Sequence, residues 1–367
     1  MRLSLEEVRR VTQGAARVEE VDGQIRFFRF TAEQEALYHA TNLDFWQKSF
    51  ATAGVVLRFR TDSPWMRLRL TALRVLSRTY FAVDVLKDGE FVGAIQNFRE
   101  PGEDPSACGD ALPEAGENYQ LGEYPLGEFH KEFVFDDAHG EGCAFGSVPG
   151  EGAAAGACMK TITIHLPWSV DLRLDALELQ DGAVVEPVVR PKKLICFGDS
   201  ITQGYDALHP MNRYTAAVAA HLDAEETNKA IGADVFFPAL AAAPDPEAPD
   251  YVLVAYGTND WGVTTWERFA ANCPAFYRNL SAAYPAARIF ALLPIWRKDM
   301  DEVRRCCPFR KVAECIREWT ADLPNVTVID CFDFVPHKTR YFADFRLHTN
   351  DEGFSVYGRN LCGKLPV

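Results

Sequence analysis

No stretch of this chain approaches the roughly eighteen consecutive apolar residues that a membrane-spanning helix needs. Its start, Met1-Arg2-Leu3-Ser4-Leu5-Glu6-Glu7-Val8-Arg9-Arg10, also lacks the apolar centre of a secretory signal. A cytoplasmic location with no membrane partner is therefore expected. A basic surplus is missing too: 38 Lys and Arg stand against 52 Asp and Glu, a formal charge of −14. Phosphate backbones and anionic lipids are held by basic surfaces, so nucleic acid is excluded as an expected partner. The ten cysteines make no CxxC pair, and the adjacent Cys306 and Cys307 have no second pair to complete a zinc site. Several lie in apolar strands, as Cys196 does, so reduced, buried thiols are expected. No HExxH run, Walker loop or GxGxxG pattern occurs. Neither a metal nor another cofactor is expected.

What is present is a globular composition, 48% hydrophobic and 25% charged over 367 residues, enough for a sizeable core and, by the usual domain size, two domains. Residues 1–188 read as all-β. Met66, Leu68 and Leu70 alternate with Arg67 and Arg69, which puts the apolar three on one face. Phe81, Val83 and Val85 alternate likewise, and Asp88-Gly89 turns the chain back into Phe91 to Ile95, a hairpin signal. With runs near Ile25, Val55 to Arg60, Phe129 to Phe135, Thr161 to Leu166 and Leu172 to Leu179, a β-sandwich of the jelly-roll kind is expected. Residues 99–125 and 140–156 read as long loops. Trp65 and Trp168 have two readings, a sugar platform or ordinary core packing. The segment Pro187 to Lys193 reads as the linker.

Residues 189–367 change pattern. Strands are expected at 194–198, 226–230, 251–256, 288–293 and 325–330, and helices at 212–222, 264–283, 299–321 and 351–362. That alternation argues for a parallel sheet covered on both faces. Polar residues cluster after the strands. Leu194 to Phe197 is an apolar run that stops at Gly198-Asp199-Ser200, placing a hydroxyl at the strand's carboxyl end, where open α/β sheets build sites. Tyr251 to Tyr256 is followed by Gly257-Thr258-Asn259-Asp260. Near the end stands Asp344-Phe345-Arg346-Leu347-His348, and His348 alone of the eight histidines sits just before a helix start in such a context.

These runs resemble, in order, the blocks of the SGNH, or GDSL-type, hydrolase family, over about 175 residues. The resemblance implies a flavodoxin-like three-layer fold and a serine esterase. Ser200 is the implied nucleophile and His348 its base. The implied oxyanion donors are the Ser200 amide, the Asn259 side chain and a block II amide. Block II is irregular: after Asn228 the family glycine falls at Ala233, with Gly232 one earlier, and both amides stay open. The family acid stands three residues before the histidine, but here that residue is Phe345. Asp344, a backbone carbonyl or Asp333 could orient the ring instead. Asp199 reads as structural. Trp261 and Trp296 follow strand ends and, with Tyr205, are candidates to line a substrate site; Trp266, His209 and Arg213 are further positional candidates. With the β-sandwich in front, the chain looks like acetyl-carbohydrate esterases. The expectation is hydrolysis of a small acyl ester, acetyl foremost, on a sugar or other small molecule. The alternatives are an SGNH-fold carbohydrate binder with lapsed catalysis, and a lipase or thioesterase. The oligomeric state is left open.

Overall fold

The structure is a computed structural model, and it describes residues 1–103, 112–135 and 158–366. The loop expected at 140–156 lies outside the described residues. The N-terminal part holds two antiparallel sheets. One runs Arg17–Val21, Gln24–Phe28, Val170–Leu179, Trp65–Arg74, Gly127–Val134 in spatial order. The other runs Thr12–Gln13, Val56–Thr61, Lys160–His165, Ala82–Lys87, Glu90–Gln96, with Glu186–Pro187 added on Val56–Thr61. Met66, Leu68 and Leu70 point inward against Leu57, Phe59, Val83, Val85, Ile162 and Ile164, as the period of two demands. Asp88 and Gly89 both take positive φ, 51° and 92°, the geometry of a type I′ hairpin turn.

The all-β expectation for this part is incomplete. Helices stand at Leu5–Val11, Ala32–Thr41 and Leu43–Lys48. The first two begin with reciprocal capping boxes, Ser4 with Glu7 and Thr31 with Gln34, a signal visible in the sequence. The expectation of reduced cysteines also needs correction. Cys158 is disulfide-bonded, whereas Cys196, Cys273, Cys306, Cys307, Cys315, Cys331 and Cys362 are free thiols.

The second part is a five-stranded parallel sheet in the order Ala224–Asn228, Lys192–Gly198, Tyr251–Ala255, Arg288–Leu292, Val326–Ile329. Alternate residues of each strand feed opposite faces. Leu194, Cys196, Leu253, Phe290 and Leu292 meet the helices Tyr214–His221 and Asp351–Cys362. Ile195, Phe197, Val252, Val254, Ile289 and Ala291 meet Trp266–Ala283 and Phe309–Thr320. Both faces are therefore apolar, which is why these strands read as continuous hydrophobic runs. The first strand is followed by its neighbour on one side and then by the next on the other. The order reverses at its carboxyl end, and a crevice opens there.

The two parts share a core. Ala51, Tyr80 and Trp168 pack with Leu194, Tyr205 and Tyr214, and Phe30 and Tyr38 pack with Ile231 and Phe236.

Candidate active site

Ser200 opens a single helical turn, Ser200–Gln203, immediately beyond the strand Lys192–Gly198. Asp199 caps the turn by accepting the Ile201 N–H at 3.0 Å. It is fully buried, and burial pushes its carboxyl up to about 6 against those backbone bonds. This is the structural role expected of it. A Cβ on Gly198 would lie 2.4 Å from Thr202 Oγ1, so only glycine lets the turn follow the strand so tightly.

His348 faces Ser200, with Oγ and Nε2 2.8 Å apart. Its other nitrogen, Nδ1, is 2.9 Å from Asp344 Oδ2. The extra residue relative to the family spacing is absorbed locally. Phe345 takes a left-handed φ of 54°, and Asp344 Oδ1 accepts the N–H groups of Arg346, Leu347 and His348 at 2.9, 2.7 and 3.1 Å. The loop is thus wound around the carboxylate. Burial works to raise the Asp344 carboxyl, but the His348 contact and the backbone bonds hold it well below the usual carboxylate range. Asp333 is elsewhere, exposed and 3.1 Å from His337.

Three further groups face the same cavity of about 340 Å³: Gly232, Ala233 and Asn259. The Gly232 N–H is already given to Gln203 Oε1 at 2.8 Å. Among the described residues nothing accepts the Ala233 N–H. Ala233 sits at φ 72°, a conformation that favours glycine. A Cβ on Gly232 would be 2.5 Å from the Tyr205 hydroxyl. The glycine therefore stands one residue early because a phenol ring packs there. Asn259 Nδ2 donates one hydrogen to Asp234 O at 3.1 Å, leaving the second for the cavity. Asp234 is itself held by the Tyr38 and Tyr256 hydroxyls at 2.8 and 3.3 Å, and Asp260 accepts the Gly257 N–H at 3.1 Å. These buried acids, pushed up by burial to about 7 and about 8, fix the two loops that carry the donors.

A seryl hydroxyl, an imidazole, a carboxylate and free amide donors around one cavity agree with the family blocks, and residues 196–356 match the model of the GDSL-like lipase/acylhydrolase family. The domain at 196–356 belongs to the GDSL-like lipase/acylhydrolase family. That family is described as one of lipases and acylhydrolases. No curated protein matches it. Solved structures of similar fold include the salicylyl-acyltransferase SsfX3 from a tetracycline biosynthetic pathway, 20% identical with TM-score 0.72, covering 97% of this chain and 95% of that one. A GDSL-like lipase from Bacteroides ovatus is 15% identical with TM-score 0.69, over 98% and 95%. A family two carbohydrate esterase from Cellvibrio japonicus is 14% identical with TM-score 0.60, over 99% and 96%. At such identities the likeness is one of fold, a flavodoxin-like SGNH domain preceded by a β-sandwich.

Not every residue singled out in the sequence faces the cavity of this GDSL domain. Tyr205 does, its ring 5.7 Å from that of His348. Trp261 does not. It is fully buried, edge-on to Phe309, with the Arg297 and Arg304 guanidiniums 4.6 and 5.2 Å from its ring. Trp296 stacks on His337 at 5.1 Å, and Trp266 packs on Phe269 and Trp319; neither lines the cavity. Trp168 is buried and donates Nε1–H to Ala207 O at 2.8 Å, a core residue. Trp65 lies on the outer sheet under Arg67. His209 is clamped between Asp84 and Glu100, and Arg213 makes a buried pair with Glu226 at 2.8 and 3.1 Å.

Sequence reasoning missed Gln203, which occupies the Gly232 amide, and Asp206, whose Oδ2 lies 3.8 Å from His348 Nδ1. Asp206, Asp344 and His348 bring ligand-type atoms within 4.8 Å of one another. The Asp206 carboxylate, however, is taken up by Arg78 at 2.9 and 3.3 Å and by the Tyr80 hydroxyl at 2.7 Å. These acceptors are saturated by hydrogen bonds rather than converging on a vacant point, so the set does not fit an ion. Lys48, Ser77 and Arg78, from the N-terminal part, also line the cavity. No local pattern marks any of them.

Proposed function

We propose that this GDSL-type hydrolase is a serine esterase acting on small acyl esters through an acyl-enzyme. Ser200 Oγ attacks the ester carbonyl while His348 Nε2 takes its proton, and Asp344 keeps the Nδ1–H tautomer and stabilises the imidazolium. The negative oxygen is received by the Ser200 amide, the Ala233 amide and the Asn259 side chain. Gly232 assists as the neighbour whose own amide is spent on Gln203. His348 returns the proton to the departing alcohol, and water then repeats the sequence on the acyl group. The observation that carries this reading is the unbroken line from Ser200 Oγ to His348 Nε2 at 2.8 Å and from His348 Nδ1 to Asp344 at 2.9 Å.

The favoured substrate class is an acetyl or comparably short acyl ester on a sugar or similar alcohol. The two-part fold shared with a family two carbohydrate esterase supports it, as does a cavity of about 340 Å³. Tyr205 is the aromatic ring available to such a substrate; Trp261 and Trp296 are turned elsewhere. The reading divides the chain at residue 188 and gives the sandwich a part in the site, through Lys48, Ser77 and Arg78. A fluorophosphonate probe is expected to label the wild-type protein and not Ser200→Ala or, at comparable rate, His348→Ala. A folded wild-type protein that stays unlabelled and does not turn over p-nitrophenyl acetate would overturn the reading in favour of a lapsed binder.

A further inference from the structure

The charged side chains that line this cavity, His348 apart, are all cations among the described residues: Lys48, Arg78, Arg297, Arg304 and Arg346. The chain as a whole carries −14, so the excess is local. Two of the five are matched, Arg78 by Asp206 and Lys48 by Asp44. The other three converge on one carboxylate. Arg297 holds Asp299 through two bonds, 2.6 and 2.9 Å, while Arg346 and Arg304 approach it at 3.4 and 3.6 Å. Glu302 adds a second carboxylate, on Arg304. Three guanidiniums therefore meet two acids, one cation more than this cluster has ion-pair partners, while the nearby Asp344 carboxylate is turned to His348 and its own loop's backbone.

That surplus is built in. The Arg297 and Arg304 guanidiniums lie over the buried Trp261 ring, an arrangement that fixes planar cations in place. The Arg346 backbone is tied to Asp344, so its side chain leaves from the loop that carries His348. Arg304 Nε is buried without a partner, and the side chains of Arg304 and Arg346 keep 33% and 50% of their surface open. Arginine forks match planar anions bidentately, and such pairs strengthen where water is thinned.

We propose that this site prefers esters carrying an anionic group, such as a carboxylate, beyond the scissile bond, with Arg304 and Arg346 as its receptors. The inference rests on the serine-esterase reading and deepens it. A neutral acyl ester fits the cavity but leaves the surplus cation without a counter-charge. An anionic one supplies it, at a distance from Ser200 set by the loop 344–348.

The test compares specificity constants for matched pairs, each normalised to alkaline hydrolysis of the same ester. Mono-p-nitrophenyl succinate against p-nitrophenyl butyrate places the charge in the acyl half. 4-Acetoxybenzoate against its methyl ester places it in the alcohol half. In at least one pair the anionic ester is expected to be favoured about tenfold or more, the preference shrinking several-fold as salt is raised. The double variant Arg304→Gln/Arg346→Gln is expected to bring that ratio towards one, and Arg346→Lys to keep part of it. Should the double variant not fold, the wild-type ratio and its salt dependence decide. Ratios of one or less in both pairs, with Ser200-dependent turnover of p-nitrophenyl acetate, overturn the anion preference and leave the esterase reading intact. No turnover of any ester and no phosphonate labelling removes the esterase reading, and this inference with it.

Discussion

At the scale of single residues, the acid and the oxyanion amides are where this sequence departs from its family, and each departure has a local remedy. The spacing from Asp344 to His348 is one residue too long, and Phe345 absorbs the excess by turning to φ 54°. Asp344→Asn is therefore expected to lower kcat by about 10²- to 10⁴-fold, because the amide can favour the wrong imidazole tautomer. Asp333→Asn, at an exposed pair with His337, should change kcat less than about twofold. Steady-state kinetics on both variants check the assignment; equal losses would refute it. Gly232 is constrained by the Tyr205 ring, so Gly232→Ala should cost about 1–3 kcal/mol of stability, read from denaturant unfolding. Tyr205→Leu in the same background should recover part of it. The sequence shows the irregular block II but not its cause, because the phenol that claims the glycine comes from a separate turn.

At the scale of elements, the loop 230–233 proposed to receive the oxyanion is anchored by a buried cation from the other half of the chain. Arg29 is fully buried. It donates to the Asn228 and Ala230 carbonyls at 2.6 and 3.0 Å, and also to Ala51 O. It thereby joins the end of the strand Ala224–Asn228 to the turn after helix Leu43–Lys48. Burial pushes its guanidinium down to about 9, a sign of how little water reaches it. Arg29→Met keeps the volume but strands those carbonyls. It should cost about 3 kcal/mol and lower kcat with it, since residues 230–233 follow directly. A variant with wild-type stability and activity would show that the loop is held by other contacts. The longer strands of the three sheets and the helices Tyr214–His221, Trp266–Ala283 and Asp351–Cys362 were legible from periodicity, but the helix expected at 299–321 is only Phe309–Thr320, because Pro308 keeps the residue before it out of the helical region. The three N-terminal helices were not legible: they run seven, ten and six residues and bury two, two and no side chains, too few to mark a stripe.

At the scale of the molecule, the parts are bonded across their boundary at several points. Arg78 and Tyr80 reach Asp206, Trp168 reaches Ala207, and His209 bridges Asp84 and Glu100 at 2.6 and 2.9 Å. Because the buried core runs through both, unfolding is expected as one transition by calorimetry and fluorescence alike. Residues 189–367 alone should be unstable and inactive. Burial works against charging His209, but its two carboxylate bonds prevail and raise it to about 10. A histidine raised in the folded state stabilises fully below its unfolded pKa near 6.5 and loses that contribution as pH rises through about 10. The stability difference between wild type and His209→Gln should thus be largest near pH 6, just below the unfolded pKa, and shrink steadily from there towards pH 10. Denaturant midpoints across that range measure it; a difference independent of pH would exclude the charged clamp.

The sequence by itself singled out the positions proposed to bear the chemistry: Ser200, Asn259 and His348 all stand at strand ends or before a helix cap. Such signals are short-range, a hydrophobic run broken by glycine and a small polar side chain, and can be read within ten residues of sequence. Only the tertiary structure decided which amide is free, that Trp261 lies beneath two arginines instead of facing a substrate, and that Lys48 and Arg78 reach the cavity from a helix end and a loop of the N-terminal part. These outcomes depend on which side chains exclude water from one another across more than a hundred residues of chain. Burial and charge balance of that kind are properties of the assembled packing, and no local periodicity encodes them.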